Sequence, residues 1–91
     1  MMKTVRLKIN GQVQGVFFRK FVKDNADEIG ISGHVRNLES GEVEVMAEGS
    51  PECVDKMIAI CKRGAPHSNV KDVDIQELNH IGFDDFKIIE I

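Results

Sequence analysis

The sequence predicts an α/β sandwich in which two helices cover one face of an antiparallel sheet. Strand-like runs, in which apolar residues alternate with polar ones, recur along the chain. Two stretches between them repeat apolar residues at three- and four-residue steps, which is typical of amphipathic helices. The runs follow one another in the order β-α-β-β-α-β, with one short extra strand at the C-terminal end.

The first strand is predicted at residues 4–10 and the first helix at about 18–29. In the strand, polar residues alternate with three apolar ones, Val5, Leu7 and Ile9. The apolar stripe of the helix consists of Phe18, Phe21, Val22, Ala26 and Ile29. Gly30 follows at the position where a left-handed C-terminal cap would end the helix.

A hairpin and the second helix follow. Residues 31–38 and 42–48 form the two arms of the hairpin, and the turn between them consists of Glu39, Ser40 and Gly41. The second helix is predicted at about 51–63, because Ser50 offers an N-cap oxygen and Pro51 suits the first helical position. Its apolar stripe is formed by Val54, Met57, Ile58 and Cys61.

Shorter patterns predict the last two strands. Val73 and Ile75 alternate with charged neighbours in the fourth strand, and residues 86–91 form a short fifth one. The inward face of the fifth strand stays open, because Ile88 and Ile89 are adjacent. Two β-α-β halves that share one sheet, with both helices on one face, form a ferredoxin-like fold. This fold carries RNA binders, metal chaperones, regulatory modules and enzymes, so the function has to come from particular residues.

Length and composition limit the classes of function. A chain of 91 residues predicts one domain, spanning residues 1–91, with a shallow site. Its 42% apolar and 30% charged residues, without a low-complexity tract, favour a folded chain over a disordered one. The net charge of −3 opposes nucleic-acid binding but allows a small phosphate-bearing ligand. Neither a membrane-spanning run nor a signal-peptide core is present, so we expect a cytoplasmic protein. No pattern in the sequence indicates an oligomer, and we take a monomer as the default.

The cysteines and histidines show no pattern of a disulfide or a metal site. Cys53 and Cys61 lie eight residues apart in the predicted helix, which is about 12 Å along its axis and too far for a disulfide. The three histidines, His34, His67 and His80, lack the spacing of zinc ligands. We therefore expect neither a metal nor another cofactor.

The segment between the first strand and the first helix is the main candidate site. Gly15, Val16, Phe17 and Phe18 place consecutive backbone N–H groups at a helix N-terminus, where such groups have no intrahelical acceptor. Gly15 can adopt positive φ, so the backbone can form an anion-binding nest. Arg19 is unfavourably placed for the helix dipole unless an anion lies between them.

The alternative reading of this segment is structural. The glycines would make a turn, the phenylalanines would fill the core and Arg19 would be an ordinary surface arginine. The segment is neither a Walker A loop nor a Gly-x-Gly-x-x-Gly dinucleotide turn, which excludes nucleotide binding of either kind.

A second candidate is Asn37, at the end of the second strand. Asparagine favours turns, so Asn37 could serve only to start the hairpin turn. In a regular strand, however, Asn37 shares a face with Val35, whereas His34 and Arg36 point the other way. Only Asn37 is then positioned to face the loop.

Two motifs together resemble the acylphosphatase family. The first is Gly11-x-Val13-Gln14-Gly15-Val16-x-Phe18-Arg19, and the second is Gly33-x-Val35-Arg36-Asn37-x-x-x-Gly41-x-Val43 followed by Gly49. The spacing between the motifs also matches, and Ala26 and Gly30 fit the family's first helix. The resemblance covers nearly the whole chain and fades after the second helix. One departure is His34, where the family usually has an aromatic residue.

The resemblance implies hydrolysis of acyl phosphates to a carboxylate and inorganic phosphate. At the matching positions, Arg19 and the loop amides from Gly15 to Arg19 would bind the phosphoryl group, and Asn37 would orient the attacking water. The partner would be a small-molecule acyl phosphate, with no nucleic acid, membrane or metal involved.

Two other classes of function share the fold. An RNA-binding module needs aromatic stacking residues on its central strands, which TVRLKIN and EVEVMAE lack. A non-catalytic domain that recognises phosphate or a phosphorylated partner would keep the loop without the chemistry.

Overall fold

The chain folds into five strands and two helices within residues 1–13 and 15–90, which a computed structural model describes. In chain order the elements are β1 (Lys3–Gln12), α1 (Val16–Ile29), β2 (Ser32–Asn37), β3 (Val43–Gly49), α2 (Pro51–Arg63), β4 (Asn69–Leu78) and β5 (Phe86–Ile89). The predicted order of elements is therefore confirmed. Gln14 of the first motif and Ile91 of the predicted fifth strand lie outside the described residues.

All five strands described belong to one sheet in the order β4-β1-β3-β2-β5. β1 runs antiparallel to β3 and β4, and β2 runs antiparallel to β3. β5 lies at the edge and pairs with β2 in parallel. The fifth strand thus makes the sheet mixed and brings the C-terminal end of the chain beside β2.

The loop between β1 and α1 is shorter than the sequence pattern predicts. β1 extends to Gln12 instead of ending at residue 10, because a register shift between Asn10 and Gly11 interrupts the alternation. α1 begins at Val16 instead of residue 18. Val16 and Phe17 are 57% and 85% exposed, so they are absent from the buried stripe that marked the helix start.

One core lies between the helices and the sheet. α1 buries Phe18, Val22 and Ala26, and α2 buries Val54, Met57 and Cys61, as the two apolar stripes predict. The strands contribute Val5, Leu7, Ile9, Val35, Val43, Val45, Ala47 and Phe86. Of the two helices within the described residues, neither has both the length and the apolarity needed to cross a membrane.

The helix ends confirm the predicted caps. Gly30 adopts a left-handed conformation with φ 90° and ψ 34°, and its N–H donates to the carbonyl oxygen of Ala26 over 2.9 Å. The hydroxyl oxygen of Ser50 accepts a hydrogen bond from the N–H of Cys53 at 3.3 Å. Pro51 occupies the first position of α2, where a missing N–H costs nothing.

β2 and β3 approach closely at Gly33. Its φ is 142°, and a Cβ atom there would lie 1.9 Å from the carbonyl oxygen of Met46. Any side chain at this position would force the two strands apart. Gly33 therefore keeps β2 in register with β3, which places Asn37 opposite Val43.

A buried carboxylate fastens the segment before β5 to the open face of the sheet. Glu48 on β3 is 1% exposed, and its two oxygens accept hydrogen bonds from the backbone N–H groups of Ile81, Gly82 and Phe83 at 2.8 to 2.9 Å. The Thr4 hydroxyl donates to the same carboxylate, and His80 Nδ1 lies 3.3 Å from it. These contacts fix the path along which the chain enters β5.

A second buried carboxylate joins three strands on the same face. Glu44 on β3 accepts from Arg6 Nε of β1 at 2.6 Å and from Arg36 Nε of β2 at 2.7 Å. His34 Nε2 lies 3.0 Å from the same group. Burial by itself would raise the pKa of Glu44, but the hydrogen bonds from His34, Arg36 and Arg6 lower it to about 2. Arg36 is thereby held on the face opposite Asn37.

The Glu48 contacts predict a loss of stability in acid. Burial opposes ionisation, yet the hydrogen bonds from Thr4 and the three N–H groups lower the pKa of Glu48 from 4.5 to about 2. A carboxyl whose pKa is lower in the folded than in the unfolded chain stabilises the fold at any pH above its unfolded-state pKa. This contribution disappears as the pH falls from about 5 to 2.

We expect Glu48→Gln to be less stable than the unmodified chain at pH 7, with the difference shrinking toward pH 2. Urea unfolding at pH 7, 4 and 2.5 measures both free energies of unfolding. Glu28→Gln, a change at an exposed position of α1, serves as the control and should leave the free energy of unfolding unchanged. A Glu48→Gln difference that is independent of pH would contradict the assignment.

Candidate active site

The loop between β1 and α1 presents unpaired backbone donors. Gly15 is the N-cap of α1 with φ 109° and ψ 172°, and no side chain among residues 1–13 and 15–90 caps the helix there. The first-turn N–H groups of Val16, Phe17 and Phe18 have no acceptor within the helix, as at any helix start. No acidic residue lies in this turn. The helix N-terminus therefore has no acidic side chain in its first turn to offset its partial positive charge.

The Arg19 side chain folds back toward this loop. Its Nε lies 3.4 Å from the carbonyl oxygen of Gly15, to which the backbone N–H of Arg19 also donates over 3.5 Å. The backbone of Arg19 thus begins the hydrogen bonding of the helix, whereas its guanidinium stands beside the loop with donors to spare. Arg19 is only partly buried, so a ligand from solvent can reach it.

Asn37 carries a buried oxygen without a partner. Its Oδ1 is the only buried side-chain nitrogen or oxygen atom among residues 1–13 and 15–90 that lacks a hydrogen-bond partner. Leaving such an atom unsatisfied costs about 1–3 kcal/mol. Buried polar groups are nearly always satisfied in folded proteins, so this exception points to an acceptor kept for a ligand or a water.

Arg19 and Asn37 line the same cavity. The cavity has a volume of about 370 Å³, and Ile89 and Glu90 at the end of the described chain complete its wall. Ile89 ends β5 and Glu90 follows it, and both reach the cavity because β5 pairs with β2, the strand that ends in Asn37. The cavity is thus assembled from α1, β2 and the C-terminal segment.

The structure separates Asn37 from the other polar residues of β2, as the alternation predicts. His34 and Arg36 contact Glu44 on the open face, and the His34 ring also meets Phe83 edge-on, with 5.9 Å between ring centroids. Val35 is buried in the core between them. His34 therefore packs in the sheet, away from the cavity.

The two cysteine thiols and the Ser40 hydroxyl, which are potential nucleophiles, lie elsewhere. Both cysteines are free. Cys61 is buried in α2, where burial raises the pKa of its thiol to about 12, and the Cys53 thiol donates to the carbonyl oxygen of Ile29 over 3.6 Å. Ser40 donates to Glu42 in the hairpin turn at 3.0 Å. None of these three side chains lines the cavity shared by Arg19 and Asn37.

Sequence reasoning missed the roles of Glu44, Glu48 and the C-terminal segment. The two glutamates stand in an alternating strand and look like solvent-facing residues, although they are 3% and 1% exposed. The place of Glu90 in the cavity wall follows from the pairing of β5 with β2, which no local pattern encodes. The sequence contains no signal that would have revealed these contacts.

The fold and the site define a class of small ferredoxin-like domain with an amide-lined helix N-terminus beside an arginine. The family model described as Acylphosphatase matches residues 5–88. An acylphosphatase from Methylococcus capsulatus is 42% identical to this chain, and the alignment covers 97% of each of the two chains. One from Rubrobacter xylanophilus is 44% identical over 82% of this chain and 68% of its own. The crystal structure of acylphosphatase from Bacillus subtilis superposes with a TM-score of 0.92 at 35% identity, over 99% of this chain and 100% of that one.

The chain belongs to the acylphosphatase family. It is an enzyme of that family, and hydrolysis of acyl phosphates is its activity in general terms. The resemblance carried by the two sequence motifs is therefore confirmed.

Proposed function

We propose that the chain hydrolyses acyl phosphates by direct attack of water on phosphorus, with the loop and Arg19 holding the phosphoryl group and Asn37 orienting the water. The observation that carries the proposal is the cavity shared by Arg19 and Asn37, with the unpartnered Asn37 oxygen at its wall. Phosphoryl transfer depends mainly on positioning and on electrostatic stabilisation, which such a site supplies without a nucleophilic side chain.

The phosphoryl group is held at the helix N-terminus. Its oxygens accept hydrogen bonds from the loop amides of Gly15, Val16, Phe17 and Phe18, and the positive end of the α1 dipole attracts their charge. The Arg19 backbone N–H already donates to Gly15, so Arg19 contributes chiefly through its guanidinium. That group offers a planar pair of donors to two phosphate oxygens.

Asn37 Oδ1 accepts a hydrogen bond from the attacking water and so turns a lone pair of the water oxygen toward phosphorus. A new bond forms between the water oxygen and phosphorus while the bond from phosphorus to the acyl oxygen breaks. The electron pair of the broken bond leaves with the carboxylate, and the water proton passes to an oxygen of the transferred phosphate. The buried Oδ1 of Asn37, to which no protein group among residues 1–13 and 15–90 donates, supports this assignment.

The leaving group explains the sparse site. A carboxylate is a stable anion, so its departure needs no general acid. Cys53, Cys61 and Ser40 lie away from the cavity, which supports direct attack by water over a phospho-enzyme formed on a thiol or on that hydroxyl. Because the proposed residues all come from one chain, the monomer expected from the sequence suffices for activity. We also propose the cytoplasm as the location of the protein.

The proposed function is tested by adding the purified chain to benzoyl phosphate with EDTA present and following the loss of the anhydride by ultraviolet absorbance. We expect rapid hydrolysis, with one inorganic phosphate released for each benzoate and no label left on the protein from ³²P-labelled substrate. A phosphorylated side chain would overturn direct water attack. Phosphate binding without hydrolysis would instead identify a phosphate-recognition domain.

A further inference from the structure

An apolar groove lies beside the loop, outside the cavity of Arg19 and Asn37. It is lined by Phe17, Phe21, Ala65, Pro66 and His67 and has a volume of about 410 Å³. We call it the Phe17 groove. A smaller hollow of about 200 Å³ continues it toward Gln12 and Val13, at the start of the loop. Phe17 is 85% exposed, which leaves the face of a large apolar ring open to solvent in the free protein.

The Phe17 groove and the Arg19 cavity lie on opposite sides of the loop. Phe17 and Arg19 are two positions apart in α1, so they point about 200° apart around the helix axis. The sheet order agrees with this separation. The groove segment from Ala65 to His67 leads into β4, which pairs with β1 on one side, whereas Asn37 ends β2 on the other.

The geometry of phosphoryl transfer connects the two sides. The attacking and leaving oxygens lie roughly in line through phosphorus. With water held at Asn37 on one side of the phosphoryl group, the acyl oxygen departs on the side away from Asn37. Phe17 lies in the first turn of α1, whose amides form the proposed phosphoryl site, and its side chain lines the groove, so the groove adjoins that site on the side of the loop opposite Arg19.

We propose that the Phe17 groove receives the acyl group of the substrate and favours acyl phosphates with an apolar aromatic acyl part over the acetyl compound. The inference rests on the proposed function and adds the substrate class to it. The groove volume of about 410 Å³ leaves room for one aromatic ring. An aromatic acyl group would stack against Phe17 and Phe21 and remove their exposed faces from water, whereas an acetyl group is too short to reach both.

The test compares kcat/KM for benzoyl phosphate with kcat/KM for acetyl phosphate. We expect Phe17→Ala to lower the ratio of the two about fivefold to tenfold, the range of one aromatic contact. The Phe17 amide also belongs to the phosphoryl site, so a disturbance there would change kcat/KM for both substrates equally. The ratio cancels this common change and reports on the acyl group alone. Pro66→Ser, which alters the groove away from the loop amides, should lower the same ratio about twofold to threefold.

Ile81→Ala is the matched control, since Ile81 is also a large apolar residue, 50% exposed, and lines neither the groove nor the cavity. Its ratio should equal that of the unmodified chain. If Phe17→Ala and Pro66→Ser hydrolyse both substrates with an unchanged ratio, the inference is wrong and the proposed function stands. If the unmodified chain hydrolyses neither substrate, the proposed function fails, and the inference fails with it.

Discussion

Replacing Arg19 with alanine is expected to lower kcat/KM for benzoyl phosphate by about a thousandfold or more, the range found for arginines that stabilise a transferring phosphoryl group. The same variant should bind inorganic phosphate at least about tenfold more weakly, because a charge-assisted pair of hydrogen bonds is lost from the ground state as well. Calorimetric titration with phosphate and initial rates measure the two effects.

Two further variants separate charge from geometry. Arg19→Lys keeps the charge but loses the planar pair of donors, so we expect only partial recovery of both phosphate binding and rate. Arg63→Ala removes an exposed arginine from the last turn of α2 and lowers the net charge equally. Phosphate affinity in Arg63→Ala should stay within about twofold of the unmodified chain. Retention of phosphate affinity in Arg19→Ala would show that the guanidinium does not hold the phosphoryl group.

Replacing Asn37 with alanine is expected to lower kcat about a hundredfold to a thousandfold, as loss of one preorganised polar group in an active site does. Affinity for inorganic phosphate should stay within about twofold, because Asn37 contacts the attacking water and not the phosphoryl group. Equal loss of phosphate affinity in the Arg19 and Asn37 variants would mean that the two roles are assigned wrongly.

Stability provides an independent check on Asn37. Its Oδ1 is buried without a partner, so Asn37→Ala removes an unsatisfied group and should leave the free energy of unfolding unchanged or raise it by up to about 1 kcal/mol. A structural asparagine would behave in the opposite way. Asn10→Ala, at an exposed position of β1, controls for the loss of an amide and should change neither rate nor stability.

The contrast between the two variants follows from when each contact forms. Arg19 faces charge that the phosphoryl oxygens carry before and during the reaction, so its loss lowers both binding and rate. Asn37 acts on the water, so its loss appears in kcat. An arginine that binds the phosphoryl group and an asparagine that orients the water, both in one cavity, can thus divide binding from catalysis.

Much of the fold was predictable because periodic burial is a local signal. The stripes of Phe18, Val22 and Ala26 in α1 and of Val54, Met57 and Cys61 in α2 appear in the core as predicted. The caps at Gly30 and Ser50 depend only on neighbouring residues and also formed as predicted. The start of α1 was wrong by two residues, because exposed Val16 and Phe17 leave no trace in an apolar stripe.

The site was predictable in part. Local chemistry indicated Gly15 and Arg19 as an anion-binding pair, and strand alternation placed Asn37 apart from Arg36. The resemblance to the acylphosphatase family assigned both the loop and Asn37 to one site. That Arg19 and Asn37 line the same cavity depends on tertiary structure, because α1 and β2 come together only when the helix packs on the sheet.

The sequence alone therefore determined the order of elements, the buried faces of the two helices and the motifs of the acylphosphatase family. Tertiary structure alone decided that Glu44 and Glu48 are buried acceptors, that β5 joins β2 in parallel, and that Phe17 borders a groove. The physical reason is that the periodic pattern of a helix or strand is formed by residues close together in the chain. The burial and the hydrogen-bond partners of a side chain depend instead on segments dozens of residues away.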